Sequence, residues 1–499
     1  MDKFLFFRYS KLLILTSIII LAAFLRFYRL PEIYVFTFDE EYQATYAWTL
    51  VKNPHPIWIG VSASFLDFYL GPYFTYFTAI LLAISYGDPI ITAYFAAFLG
   101  VITTAVFFFT GWKIFNLTTG IVASLLYGSL PLFVFFDQKY WNTMFTPLIT
   151  LLLFITMLLV KKSPWFWVLY AALFGAVLET HLESAPLLLI GIWYFIKGKF
   201  FKNIKLLILC LLTFALFYWP LAVFDYYHNF SNLTSFTRFE KQLNESKIAF
   251  NPGHKLNTLF DSMGRYWYLK SGNPNADEIT SGCSYLSAKR TSAPTALSLL
   301  SAVLLLYFLM LSLRSKKSPD RLLGIFLTVA VLIFMIYPGS SPEYHTLSFF
   351  VLFTFVIGIL ISMVKNYRIP LFGLIMLVSI LGINTVINTS DEFSLGHKKV
   401  IIKKVMDIVG ENSFSIEGRG ICHDYEGWRY LFKVYGRVPN QSYTDKNLGW
   451  LYPEEIDNTS PHYTVILSED RIPLKEELSK YPSIREGGYR VYIKDNFSK

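Results

Sequence analysis

Charge is what this sequence has least of. Asp, Glu, Lys and Arg make up 16% of its 499 residues, where a soluble domain carries about 25%. The deficit comes from long apolar runs, which places the chain in the membrane class and excludes an ordinary soluble enzyme. Cysteine is scarce too. Cys210, Cys283 and Cys422 make no metal or redox spacing, and Cys210 lies inside an apolar run. A Cys283–Cys422 disulfide outside the membrane is not the favoured reading. No glycine-rich nucleotide loop, internal repeat or low-complexity tract is evident. What abounds is aromatic: 47 Phe and 33 Tyr suit lipid-facing helices and interfacial belts. The net charge of +9 does not imply nucleic acid, because Lys and Arg fall mainly in short loops between apolar runs.

Runs long enough to cross a bilayer, or nearly so, occur about eleven times, near 12–27, 88–110, 119–136, 143–160, 164–180, 184–197, 203–224, 293–313, 321–338, 346–364 and 369–388. The first follows Lys3, Arg8 and Lys11 as in a signal peptide, but no small-residue cleavage site follows it, and it reads as a retained anchor. A further stretch, Phe68 to Tyr86, is rich in tyrosine and suits an interface. If 68–86 does not span and the N-terminus is cytoplasmic, one face collects every strongly basic short loop. These are Lys113; Lys161 and Lys162; Lys197, Lys199, Lys202 and Lys205; Arg314, Lys316, Lys317 and Arg321; and Lys365 and Arg368. The positive-inside rule makes that face cytoplasmic. If 68–86 spans, all the loops after it move outside. The fold expected is therefore an α-helical polytopic membrane protein with about eleven spans and interfacial helices. Residues 1–388 would form the membrane domain, with external loops 28–87 and 225–292. Residues 389–499 would form a small extracytoplasmic α/β domain, with helices near 397–409 and 427–435 and strands near 463–467 and 489–493.

That topology gathers the unusual polar residues on the outer face. Asp39, Glu40 and Glu41 are adjacent carboxylates whose repulsion can raise one pKa toward a general base's range. The plainer reading is an acidic cap on a helix from Tyr42 to Val51. Asp137, Lys139, Trp141 and Asn142 share one turn, offering polar groups for sugar hydroxyls and an aromatic face for stacking. His181 and Glu183 join two spans with almost no loop, where ionisable groups default to function. A His and a carboxylate can ligate a divalent cation, but this pair alone lacks the ligand count of a specific site, and no metal is assigned. Asp225 ends one span among aromatics, and Glu343 and His345 open another. None of these clusters is decisive alone; their shared side is what carries weight.

The ordered set is similar to glycosyltransferase family 39 of the GT-C superfamily. It comprises Asp39-Glu40 in the first external loop, the interfacial 68–86, Tyr140-Trp141-Asn142 through Pro147, the helix end Gly175 to His181, and Pro220 to Phe230. The resemblance covers roughly residues 10–390. It implies a polyprenyl-phosphate-linked sugar donor, no nucleotide sugar, and a protein, lipid or polysaccharide acceptor approaching from outside. It gives Asp39 the role of general base in an inverting transfer, with Glu40 shaping the site. A leaving phosphate needs cationic stabilisation, and Lys139, Arg238 and Arg265 are the external candidates. The lysine-proline element that some relatives carry before the interfacial helix is not found. The resemblance also implies a multi-pass protein of the cell membrane, its C-terminal domain outside. A transporter or flippase for a lipid-linked glycan is the alternative, but such proteins place binding residues near the midplane on related repeats. A non-catalytic assembly factor would leave the Asp39 cluster dispensable.

Overall fold

In the computed structural model, residues 2–62, 68–180, 184–235, 252–269, 293–336, 343–419, 427–470 and 478–497 are described. Among these, eight helices are long and apolar enough to cross a membrane. The first is the Ser10–Phe27 part of α1 (Asp2–Phe27), and the second runs from α2 (Ile90–Thr110) through a π turn to Phe115. The pair Leu117–Ser129 and Pro131–Asp137, bent by 62°, forms one broken span. With that pair counted as one span the described residues hold nine, and two shorter apolar helices, Phe166–Glu179 and Leu187–Lys197, lie at the fifth and sixth expected positions. The chain is an integral membrane protein.

The break has a local cause. Leu130 is extended (φ −72°, ψ 131°), as a residue before proline prefers to be. Pro131 has no N–H to give the carbonyl four residues back, so carbonyls are freed at membrane depth, where no water can satisfy them. Arg26 of α1 fills the gap. Its guanidinium donates to the carbonyls of Tyr127 (3.0 Å) and Gly128 (3.0 Å) and pairs with Asp137 (2.7 Å). Gln138 in turn donates to the carbonyls of Leu25 and Arg26, closing the end of α1.

Helices α1 and α2 are antiparallel neighbours: Lys11 lies over Trp112 and Phe27 stacks with Tyr94. Residues 28–89 therefore leave and re-enter the same face. Within them, the helix Tyr73–Ile84 has 12 residues, about 18 Å of rise, too short to cross a ~30 Å hydrocarbon core. It packs instead on the helix Phe38–Lys52, where Gln43 donates to Thr78 (2.9 Å). Contacts between loops alternate accordingly. On this face Glu40 meets Lys139, Thr78 meets Tyr140, Trp141 meets Tyr344, Glu179 meets Tyr73, and Asn232 meets Tyr69. On the other, Lys161 meets Ser318 and Asn116 meets Ser362.

The C-terminal region builds a four-stranded sheet from β1 (Phe414–Gly418), β2 (Tyr463–Glu469), β3 (Ser483–Glu486) and β4 (Tyr489–Asp495). The order is β1-β2-β4-β3, with β1 parallel to β2 and the other pairs antiparallel. The helices Leu395–Val409 and Trp428–Tyr435 accompany it. Both expected helices and both expected strands are present; β1 and β3, only five and four residues long, carried too little pattern to be read. Ile416, Val465, Val491 and Trp428 share one apolar core with Leu30, Tyr34, Phe36 and Ala44. The segment after α1 is thus packed into the C-terminal sheet region.

Candidate active site at the acidic turn

The helix Phe38–Lys52 begins four residues before the expected Tyr42, and its start explains the acidic cluster. Thr37 is the N-cap in extended conformation, and a capping box joins it to Glu40: the Thr37 N–H donates to Glu40 Oε2 at 2.9 Å. Glu41 is fully buried and points the other way, its Oε1 accepting the Tyr430 N–H at 2.8 Å. Asp39 alone of the three is exposed. Of three adjacent carboxylates, two are thus buried in structural roles and one is exposed. The raised pKa falls on Glu40. Burial lifts it, the Lys139 ammonium opposes this, and the neighbouring Asp39 charge adds to it.

Lys139 lies 3.9 Å from Glu40 Oε1 and 4.7 Å from the centre of the Trp141 ring. Trp141 meets Tyr344 edge to face at 4.8 Å, and Tyr344 meets His345 at 4.6 Å. Asn142 opens the short turn Asn142–Phe145 beside them. The structure therefore links Glu40, Lys139, Trp141, Tyr344 and His345 through a continuous chain of contacts, with Asp39 and Asn142 next in sequence to Glu40 and Trp141. Arg265, at the end of the helix Pro252–Arg265, joins through Glu343. The two are buried and paired at 2.9 Å, with a second bond of 3.0 Å from Nη2.

Asp137 and Asp225 have different surroundings. The Asp137 carboxylate is buried between Arg26 and the Tyr127 hydroxyl (3.0 Å). Asp225 is buried as well, and its Oδ1 accepts the N–H groups of Asn232 (2.7 Å) and Leu233 (3.3 Å). Asn232 is itself buried and bonded on both sides of its amide to Tyr69. His181, Glu183, Arg238, Cys283 and Cys422 lie outside the described residues. Among the described residues, no three His, Cys, Asp or Glu side chains gather as a cation-binding set.

Two residues not singled out in the sequence hold this face together. Arg26 lies inside the expected run 12–27, and the signal that could have found it is Pro131, whose break calls for a buried donor. Glu179, buried at a helix end, accepts the Tyr73 N–H at 2.8 Å and so caps the helix Tyr73–Ile84. Gly71 makes room for it, since an added Cβ there would overlap Glu179 Oε1.

No protein-family model matches the sequence, and no curated protein matches it. Among solved structures, the chain is similar to the apo oligosaccharyltransferase of Archaeoglobus fulgidus. The TM-score is 0.52 at 12% identity, over 93% of this chain and 70% of that one. It is also similar to ArnT from Cupriavidus metallidurans bound to undecaprenyl phosphate, with a TM-score of 0.49 at 12% identity over 97% of both chains. The first of these likenesses shows a shared fold, a many-helix membrane body with a C-terminal region, in line with the architecture expected from the resemblance.

Proposed function

We propose that this GT-C chain is an inverting membrane glycosyltransferase of the family 39 kind, moving a sugar from a polyprenyl-phosphate donor to an acceptor hydroxyl, with Asp39 as general base. The observation that carries the reading is the acidic turn: Glu40 and Glu41 are buried and serve as caps, and Asp39 is the exposed carboxylate beside Glu40 and Lys139. Asp39 takes the proton from the acceptor hydroxyl as its oxygen attacks the anomeric carbon. The bond from that carbon to the phosphate oxygen breaks on the opposite side, and the lipid phosphate leaves with the electron pair, inverting the centre.

Lys139 is the cation placed beside the turn, and its ammonium supplies countercharge to the leaving phosphate. Trp141 offers the sugar a ring face. Arg265, held by Glu343, supports the same neighbourhood. The basic loops all lie on the face opposite Asp39, which makes that face cytoplasmic. On this reading the site and the C-terminal domain are extracytoplasmic, and the acceptor is a protein, lipid or polysaccharide met there. The test is release of polyprenyl phosphate from a panel of polyprenyl-phosphate sugars in the presence of candidate acceptors. Wild type should release it with at least one donor and Asp39→Asn should not. Equal release by both, or none across the panel, would sink the reading.

A further inference from the structure

Three contacts tie the acidic turn to the C-terminal domain, and they are reciprocal. From the turn, the buried Glu41 carboxylate reaches across to the Tyr430 N–H, in the first turn of the helix Trp428–Tyr435. That helix begins after Gly427, a residue with no side chain to cap it, so Glu41 serves as its cap from 389 residues away. From the C-terminal domain, Lys398 is fully buried and donates to the Phe36 carbonyl at 2.7 Å. Its ammonium also lies 5.2 Å from the Trp428 ring centre and 5.7 Å from that of Tyr489. At the corner, Gly427 takes φ +95°, and a Cβ there would come within 2.7 Å of the Phe36 carbonyl and 2.9 Å of the Thr37 carbonyl. The turn 36–41 is thus gripped at both ends, with Asp39 between the grips.

We infer that Glu41 and Lys398 are positioning residues through which the C-terminal domain fixes the placement of Asp39, so that this domain is part of the catalytic apparatus and not an appended module. A buried charge held by hydrogen bonds has one low-energy arrangement, and both charges act on a turn of six residues. Release of either grip lets the turn move, and a general base works only within hydrogen-bond reach of its proton. The inference rests on the reading of Asp39 as the base.

The experiment uses the full chain in lipid nanodiscs with Glu41→Ala, Lys398→Met and the conservative Glu41→Gln. The last keeps an acceptor oxygen for the Tyr430 N–H, and methionine keeps the stem that packs on Trp428. Amide hydrogen exchange over 36–41 should quicken in Glu41→Ala and Lys398→Met, with exchange on the opposite face at 112–116 unchanged. For lipid-phosphate release, kcat should fall at least about tenfold while KM for the donor stays within about twofold, the pattern of misplacement and not of lost binding. Glu41→Gln should retain most of the rate. Unchanged exchange over 36–41 would overturn the grip itself; faster exchange with an unchanged kcat would overturn its role in positioning. If wild type releases no lipid phosphate, the proposed function falls, while the exchange result still decides the grip.

Discussion

Arg26 and Asp137 illustrate how a charge at membrane depth can belong to architecture. The guanidinium satisfies two carbonyls and a carboxylate at once, all created or required by the proline break. Removing one partner strands the other. Arg26→Met should therefore lower stability by about 3–5 kcal/mol, whereas Arg26→Met with Asp137→Leu should recover the part due to the stranded carboxylate and leave the part due to the two carbonyls. Thermal unfolding in detergent checks both, and a double variant no better than the single would refute the pairing. Glu40 is a second case. Burial raises its pKa above the ordinary glutamate value of 4.5, so between the two values the folded chain holds a proton that the unfolded chain has lost. Stability from this group is full below the unfolded value and falls as pH rises through the folded one. Glu40→Gln preserves the capping box and should flatten that fall in melting temperature; an unchanged slope would assign it to another group. Asp137 and Glu40 were legible in the sequence as candidate residues; Arg26 and the partners of all three were not. The acidic cap at Glu40 is a local pattern, whereas nothing local shows that Glu41 will serve a distant helix.

At the scale of elements, the site face depends on short helices fitted closely together. Glu179 caps the helix Tyr73–Ile84 only because Gly71 leaves space for its carboxylate. Gly71→Ala should cost about 1–3 kcal/mol as an overpacked position, seen as a lower melting temperature; no change would mean that Glu179 has room to move aside. The helix Phe38–Lys52 was anticipated in part. Its acidic first turn was read correctly as a cap, but the start was placed at Tyr42 although Thr37 and Glu40 form a capping box at the right spacing. The interfacial helix was legible from its aromatic composition. The short strands β1 and β3 were not, since so few residues show no alternation.

For the whole molecule, apolar runs were enough to foresee a polytopic membrane protein, of which, among the described residues, nine spans are long enough to cross and two expected ones are shorter helices, because apolar runs reflect chain-local solvation. Loop contacts now give the same two faces without using charge: Lys139, Tyr140, Trp141 and Glu179 meet partners on one, Lys161 and Asn116 on the other. Cysteines placed at Lys199 and Ser390 in a cysteine-free background should therefore be labelled from opposite sides of sealed vesicles, and labelling from one side would refute the arrangement. The shared core of the first loop and the C-terminal domain was beyond reach of the sequence, which divides them by more than three hundred residues.

The central claim is that one of three consecutive carboxylates does the chemistry and its neighbour only shapes the turn. The most direct measurement compares lipid-phosphate release by Asp39→Asn and Glu40→Gln against wild type under identical donor and acceptor. Asp39→Asn should lose about a hundredfold or more in kcat, the scale of a general base, while Glu40→Gln, its cap intact, stays within about tenfold of wild type. A Glu40→Gln loss as deep as that of Asp39→Asn, or deeper, would contradict the account.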